Sequence, residues 1–322
     1  MPLPAYTKTW QLTRNSTVAG QASVTATHQK LVKSIIDALL ALSILPPTVR
    51  YSCNGTTAGT AGDGVNRWST DSSLVWAGSG AHSWMVLRFS GITSTFEVCF
   101  DLLNSNTYVM TIVMSQSAAF TGGTTSARPT ATDEVVLLSA GNYGAATTAI
   151  QHRFSVLQST DGQCCRVLLC FSGGPTGLWL FEKPTNATTG WTNPNFGLIY
   201  GNTGSITASI SNLNTLGRSR IGSTTATMQL LCEGTSSGAA IADSTWGNAA
   251  NDIDGSWPLF PVGIASTTVG TKGRHGTLQD IYWGSQAIAT AEGYPADGTN
   301  RWIQVGGLVL PWGEDSTGLS LT

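Results

Sequence analysis

The sequence predicts a mainly β protein: an antiparallel β-sandwich of jelly-roll type with one N-terminal α-helix. Short apolar runs recur along the chain, and loops rich in Gly, Ser, Thr and Asn separate them. The 322 residues include 37 glycines but only 12 prolines, which is typical of many tight turns between strands. Only one segment has the periodicity of a helix.

That helical segment runs from Thr27 to about residue 45, and Pro46 and Pro47 end it. Two arrangements remain open for it: the helix lies across a sheet of its own chain, or it docks on a neighbouring subunit. Ile36 and Leu40 widen the apolar face, which indicates that the helix is covered on two sides. The main apolar stripe consists of Leu31, Ile35, Ala38, Leu39 and Leu42.

Two early runs predict strands. The first, Ser83–Phe89, is rich in bulky side chains, and the second, Phe96–Leu102, alternates between apolar and polar residues. This alternation predicts a half-buried antiparallel strand, with Glu97, Cys99 and Asp101 on the face opposite the apolar one.

A hairpin is predicted between Arg153–Leu157 and Cys165–Phe171, with Asp161 and Gly162 in a type I′ turn. The next run, Leu178–Glu182, extends the hairpin into a three-stranded meander. Further strands are predicted at Tyr108–Met114, Val135–Leu138, Ile206–Ile210, Met228–Cys232, Leu278–Trp283, Trp302–Val305 and Leu308–Trp312.

The segments between the strands predict long loops, some longer than ordinary hairpin connections. They are residues 54–64, 115–133, 139–149, 183–195, 234–256 and 266–277. We expect two regions: an N-terminal arm and helix at residues 1–47, and one elaborated β domain at residues 48–322. A subdivision near residue 200 is the alternative.

Charged residues make up only 11% of the chain, against roughly 25% in an average soluble domain. The formal net charge of −2 predicts neither nucleic-acid binding nor a basic membrane patch. No run approaches the length of a membrane span, and the first residues lack the pattern of a secretory signal. We therefore expect folding in a cytoplasm, with free, buried thiols at Cys53, Cys99, Cys164, Cys165, Cys170 and Cys232.

No motif predicts catalysis, a cofactor or a metal. The four histidines accompany no nucleophile elbow, and Glu97 and Asp101 are about 13 Å apart along a strand, which is too far for a glycosidase pair. Asp252 and Asp254 alternate as in a calcium loop but lack its later glutamate. We expect no enzyme; the enzyme alternative would depend on Asp252, Asp254 or His275, the last in a predicted loop.

The 11 tryptophans fall into two groups. Those in or beside predicted strands are expected in the core: Trp76, Trp84, Trp179 and Trp283. The loop tryptophans have three interpretations, namely packing on their own sheet, a subunit interface, or stacking on a sugar ring. The candidate interface residues are Trp10, Leu31, Ile35, Trp68, Trp191, Trp246 and Trp257.

Both ends of the chain resemble virion structural proteins of tailed bacteriophages. The resemblance lies in TWQLTRN at Thr9–Asn15, GRHGTLQDIYW at Gly273–Trp283 and GLVLPW at Gly307–Trp312. It implies a non-enzymatic tail, baseplate, head–tail or head-decoration component that assembles in the host cytoplasm and resides in the virion.

This resemblance implies a homo-oligomer, a ring or a trimer, which contacts other virion proteins. A neutral surface poor in charge suits such packing, since solubility as a free monomer relies on a charged surface. The alternative is a carbohydrate-binding, host-recognition module of a phage tail, with a host-surface glycan as partner. That alternative predicts an open groove holding two loop tryptophans.

Overall fold

The structure is a computed structural model, and it describes part of the chain. The described residues are 7–18, 24–68, 82–90, 96–106, 109–117, 119–132, 134–138, 152–171, 175–182, 184–186, 196–201, 216–221, 224–232, 260–266, 273–283, 302–305 and 308–311. Within them the protein is mainly β, with antiparallel sheets and one helix, as predicted.

The described part contains helix α1 at Val24–Leu40 and sixteen strands. The strands are β1 (Trp10–Val18), β2 (Thr48–Asn54), β3 (His82–Phe89), β4 (Phe96–Asn106), β5 (Val109–Ser117), β6 (Val135–Leu138), β7 (His152–Ser159), β8 (Cys164–Phe171), β9 (Pro175–Glu182), β10 (Phe196–Gly201), β11 (Leu216–Ile221), β12 (Thr224–Cys232), β13 (Phe260–Ser266), β14 (Gly273–Trp283), β15 (Trp302–Val305) and β16 (Leu308–Pro311).

Two sheets contain all of these strands. The larger has the order β1-β7-β8-β9-β10-β11-β12-β13-β14-β16-β15, and the smaller has the order β2-β3-β4-β5-β6. Most neighbours in each sheet are therefore consecutive in the chain, which is a meander. A jelly roll requires Greek-key connections, so the jelly-roll part of the prediction is not confirmed.

One core cluster joins the helix to both sheets. It contains Ile35 and Leu39 of α1 together with side chains of β3 and β4 from the small sheet and of β7, β8 and β9 from the large one. Phe89 of β3 lies 5.6 Å from Phe181 of β9, measured between ring centroids. The burial of Ile36 confirms that the apolar face of α1 is wide. The helix packs within its own chain, which is the first of the two arrangements predicted for it.

The Asp-Gly hairpin forms, but its turn differs from the prediction. Among the residues of this turn only Gly162 has a positive φ, 70°, so the turn is not type I′, which needs two such residues. Asp161 instead accepts hydrogen bonds from the Ser159 hydroxyl and from the amide of Gln163. These local bonds favour an ordinary turn followed by a left-handed glycine.

Several boundaries depart from the sequence prediction. Residues 273–277, expected in a loop, begin β14, and 115–117, also expected in a loop, end β5. The strand predicted at Ile206–Ile210 lies outside the described residues. Strands β1, β2, β10, β11 and β13 were not predicted. In β13 the apolar residues do alternate, at Phe260, Val262 and Ile264, but Pro261 and Gly263 lie between them.

Candidate functional site

A buried ion pair between β8 and β9 is the centre of the first polar cluster. Arg166 and Glu182 are both fully buried, and Nη2 of Arg166 donates to Oε2 of Glu182 at 2.8 Å. The same nitrogen also donates to the carbonyl oxygen of Gln279. The other carboxylate oxygen of Glu182 accepts from the Gln279 amide at 2.9 Å. The pair thus joins β8 and β9 to β14.

A bulge in β14 brings Asp280 to the first residues of the chain. Pro261 pairs with Tyr282 and Gly263 with Thr277, so residues 278–281 lie opposite a single residue of β13. Asp280 has a φ of 49°, a conformation that few residues other than glycine adopt. This backbone turns its carboxylate towards the segment that begins at Thr7.

The Asp280 carboxylate forms a clasp, by which we mean the contacts of Asp280 with Thr7, Lys8 and Trp10. One oxygen accepts from the amide and the hydroxyl of Thr7, at 2.8 and 2.5 Å. The other accepts from the Lys8 amide at 3.0 Å and from Nε1 of Trp10 at 2.8 Å. Because each bond is charge-assisted, the clasp fixes the start of β1 firmly.

The ring of Trp10 covers the buried arginine. The guanidinium carbon of Arg166 lies 4.1 Å from the ring centroid, a cation–π contact. Within the described part of the chain, Nε and Nη1 of Arg166 have no hydrogen-bond partner. The ion pair with Glu182 and the ring of Trp10 are therefore the main compensation for burying this charge.

A second polar cluster surrounds Glu97 on the outer face of the small sheet. Oε1 of Glu97 accepts from Nε of Arg50 at 2.8 Å and from Nη2 of Arg88 at 2.7 Å. Oε2 accepts from the Phe120 amide at 2.8 Å. The prediction that β4 is only half-buried is wrong: Glu97 and Asp101 on its polar face are buried, as is Cys99. The physical reason is that a loop covers this face.

We call that loop, residues 119–132, the strap. Its Phe120 packs in a small core cluster with Tyr51, Cys53, Trp84, Val86 and Cys99. Nε1 of Trp84 donates to the Thr124 carbonyl at 2.8 Å, and the His82 amide donates to the Thr125 carbonyl at 3.0 Å. The strap is therefore held against the small sheet by packing and by hydrogen bonds.

Beneath the strap, His82 and Asp101 form a side-chain pair that the sequence analysis missed. Nδ1 of His82 lies 2.9 and 3.0 Å from the two carboxylate oxygens of Asp101. Asp101 is opposite Trp84 in the β3–β4 register, so His82 is its diagonal neighbour. The polar positions of both strands were visible in the sequence, but only the register places these two together.

The pKa of Asp101 is raised, because burial outweighs the opposing influence of His82 and Arg128. The native state therefore binds the Asp101 proton more tightly than the unfolded state does. Its contribution to stability is complete below the ordinary value of 3.8 and is lost as the pH rises through the raised value.

We expect the free energy of unfolding of the wild type, relative to that of Asp101→Asn, to fall as the pH rises above the ordinary value of 3.8. Asparagine does not titrate, so the difference reports the Asp101 carboxyl together with its coupling to His82. Urea unfolding followed by tryptophan fluorescence at stepped pH measures it. Asp63→Asn is the matched control: the free energy of unfolding of the wild type, relative to that of Asp63→Asn, should rise with pH. Burial acts to raise the pKa of Asp63, but the Val65 amide and Arg67 lower it overall. A flat difference for Asp101 would contradict the expectation.

The described cysteines are buried, free thiols, as predicted: Cys53, Cys99, Cys164 and Cys165. Burial raises the pKa of each, to about 12 for Cys165. A thiol of raised pKa is a poor nucleophile at neutral pH. Cys170 and Cys232 lie in strands, and their side chains are outside the described residues.

The candidate interface residues occupy different places. Trp10, Ile35 and Trp68 are buried within their own chain. Trp68 donates from Nε1 to the Cys53 carbonyl at 2.8 Å, so for this loop tryptophan packing on its own sheet is what the structure shows. Leu31 lies in α1 with its side chain outside the described residues. Trp191, Trp246 and Trp257 are also outside them, and the interface hypothesis stays a prediction.

Of the residues named for the enzyme alternative, His275 alone lies in the described part of the chain. His275, expected in a loop, lies in strand β14 with its side chain buried, because pairing with β13 extends further than the glycines suggested. Asp252 and Asp254 lie outside the described residues. Among the described side chains, no group of three His, Cys, Asp or Glu is placed to bind a metal ion.

Comparisons with known proteins identify no relative: no protein-family model matches the chain, and no curated protein matches it. The described helix lacks the length and apolar character of a membrane span.

Proposed function

We propose that this chain is a self-associating structural subunit of a virus particle, of the kind that tailed bacteriophages assemble in the host cytoplasm. In this proposal it acts through its surfaces, as a ring or trimer that contacts other virion proteins, and not through a catalytic centre. The observation that supports it most is that few residues are charged and that the described acidic side chains are paired within the chain.

Every acidic side chain that the structure describes has a partner within the chain. The partners are arginine, lysine, histidine or, for Asp280, the N-terminal segment. Within the described part of the chain, few unpaired acidic groups therefore remain to repel a neighbouring copy. The described carboxylates are Asp37, Asp63, Glu97, Asp101, Glu134, Asp161, Glu182 and Asp280.

Four of these carboxylates are buried, and three of the four accept hydrogen bonds from two or more donors: Glu97, Glu182 and Asp280. The fourth, Asp101, has both oxygens within 3.0 Å of Nδ1 of His82. A catalytic acid or base needs a lone pair or proton within reach of a substrate. In Glu97, Glu182 and Asp280 the carboxylate oxygens accept hydrogen bonds from strands and loops of the same chain. This favours a scaffold role over general acid–base chemistry at these residues.

We also infer that the two sheets stack as the layers of a sandwich. The shared core of α1 and both sheets, with Phe89 against Phe181, supports this arrangement. The meander order favours a sandwich without the Greek-key connections of a jelly roll.

Mass photometry combined with light scattering tests the function. We expect a discrete multiple of the 33.7 kDa chain mass that persists as the sample is diluted. Because the proposed contacts are largely uncharged, the mass should not change when the salt concentration rises to 1 M. A strictly monomeric chain at high concentration contradicts the proposal. Specific binding to a glycan array would instead favour a host-recognition module.

A further inference from the structure

We call the groups that bind the start of β1 the receptor: Asp280, Asp161, Thr160 and Arg166. Asp280 is 270 to 273 positions from the Thr7–Trp10 segment that it binds. A second acidic residue, Asp161, pairs with Lys8, and the Thr160 amide donates to the Thr9 carbonyl at 2.9 Å. The receptor groups therefore all belong to later parts of the chain, and the bound segment supplies only complementary groups.

We propose that this receptor accepts the first strand of a second copy, so that neighbouring subunits exchange their β1 strands. The proposal rests on the self-association proposed above and names the segment that joins the copies. A second copy offers an identical segment with identical contacts, which makes strand exchange a low-cost route to an oligomer. Strand β1 is also at the edge of the large sheet, where among described strands it pairs with β7 alone.

Among the described residues, β1 contributes none to the core cluster shared by α1 and the two sheets, so β1 can leave while that cluster stays closed. Helix α1, which follows, is anchored by buried residues such as Ile35 and Leu39. Only residues 19–23, with the sequence AGQAS, connect β1 to α1. Short connections next to an exchangeable element favour domain swapping.

The buried arginine makes the receptor selective for this segment. When β1 leaves, Trp10 no longer covers Arg166, and the Asp280 carboxylate loses the four hydrogen bonds of the clasp. A vacant receptor with a buried charge is unfavourable, so it has to be refilled. A strand with tryptophan in the same register restores both contacts, and β1 of another copy is such a strand.

A cysteine pair across β1 and β7 reports which chain supplies β1. Gln11 and Gln158 are directly opposite each other. Opposite residues in antiparallel strands are about 4.5–5.5 Å apart at Cα, within the range of a disulfide. Oε1 of Gln158 has no hydrogen-bond partner among the described residues, so its replacement breaks no bond at that atom.

The full-length Gln11→Cys, Gln158→Cys variant is oxidised with oxidised glutathione and run on a denaturing gel without reductant. Strand exchange predicts a shift from the monomer band to covalent dimers and larger species. The Gln11→Cys and Gln158→Cys single variants are the controls for adventitious linkage, and they should stay monomeric on the gel. Disulfides are located by peptide mapping, because Gln158 is also opposite Cys165 of β8. A disulfide between positions 11 and 158 found only within single chains, in a particle whose native mass is oligomeric, overturns the exchange and leaves the proposed function intact.

Asp280→Asn provides a second measurement that does not depend on oxidation. With exchange, weakening the clasp speeds the release of β1, so tagged and untagged particles that are mixed should exchange subunits faster than the wild type, while the circular dichroism spectrum is retained. An unchanged rate of subunit exchange overturns the proposal. If the wild type itself is monomeric in native solution, the proposed function fails, and the exchange fails with it.

Discussion

Replacing Glu182 with alanine is expected to lower the free energy of unfolding by about 3–5 kcal/mol, the usual cost of removing one partner of a buried ion pair. Arg166 would keep its charge in a site where both residues are fully buried. The Gln279 amide would also lose its acceptor. Urea unfolding followed by circular dichroism measures the loss.

Two further variants make that result specific. Glu182→Gln keeps an acceptor for the Gln279 amide but removes the charge, so it should be destabilising and yet remain measurable if the alanine variant does not fold. Asp37→Ala removes one partner of a partly exposed helix pair with Lys33 and should cost less than about 1 kcal/mol. A similarly small loss for Glu182→Ala would show that the buried pair contributes little.

Replacing Glu97 with alanine is expected to cost about 1–3 kcal/mol and to loosen the strap. The cost is smaller than for Glu182→Ala because the Arg50 and Arg88 side chains are partly exposed. This fully buried carboxylate joins Arg50, Arg88 and the Phe120 amide. Its loss leaves two guanidinium groups without their partner and frees the start of the strap. Hydrogen exchange should therefore become faster at the amide of Phe120.

The matched control for the strap is Arg88→Ala. The Arg88 side chain is partly exposed, and Arg50 remains on Glu97 after its removal. We expect a smaller loss of stability than for Glu97→Ala and little change in exchange at Phe120. Unchanged exchange at Phe120 in Glu97→Ala would contradict the anchoring role of the carboxylate.

The candidate site could be predicted from the sequence only in part. The low charge was evident, and the buried thiols were predicted correctly for the described cysteines. The Arg166 cluster was not predicted, because its members come from β1, β8, β9 and β14. No local pattern relates Asp280 to Thr7, and a bulge with a positive φ at Asp280 has no reliable sequence signal.

The sequence by itself determined the local elements: the helix with its apolar stripe, the Asp-Gly hairpin, and strands such as Val135–Leu138 and Trp302–Val305. Each depends on side-chain periodicity and turn residues over a few positions. Only the tertiary structure decided that the polar face of β4 is buried beneath the strap. It also decided that β1 is clasped by Asp280. The physical reason is that burial and hydrogen bonding at these places depend on partners far away in the chain, and the spacing of neighbouring residues does not encode them.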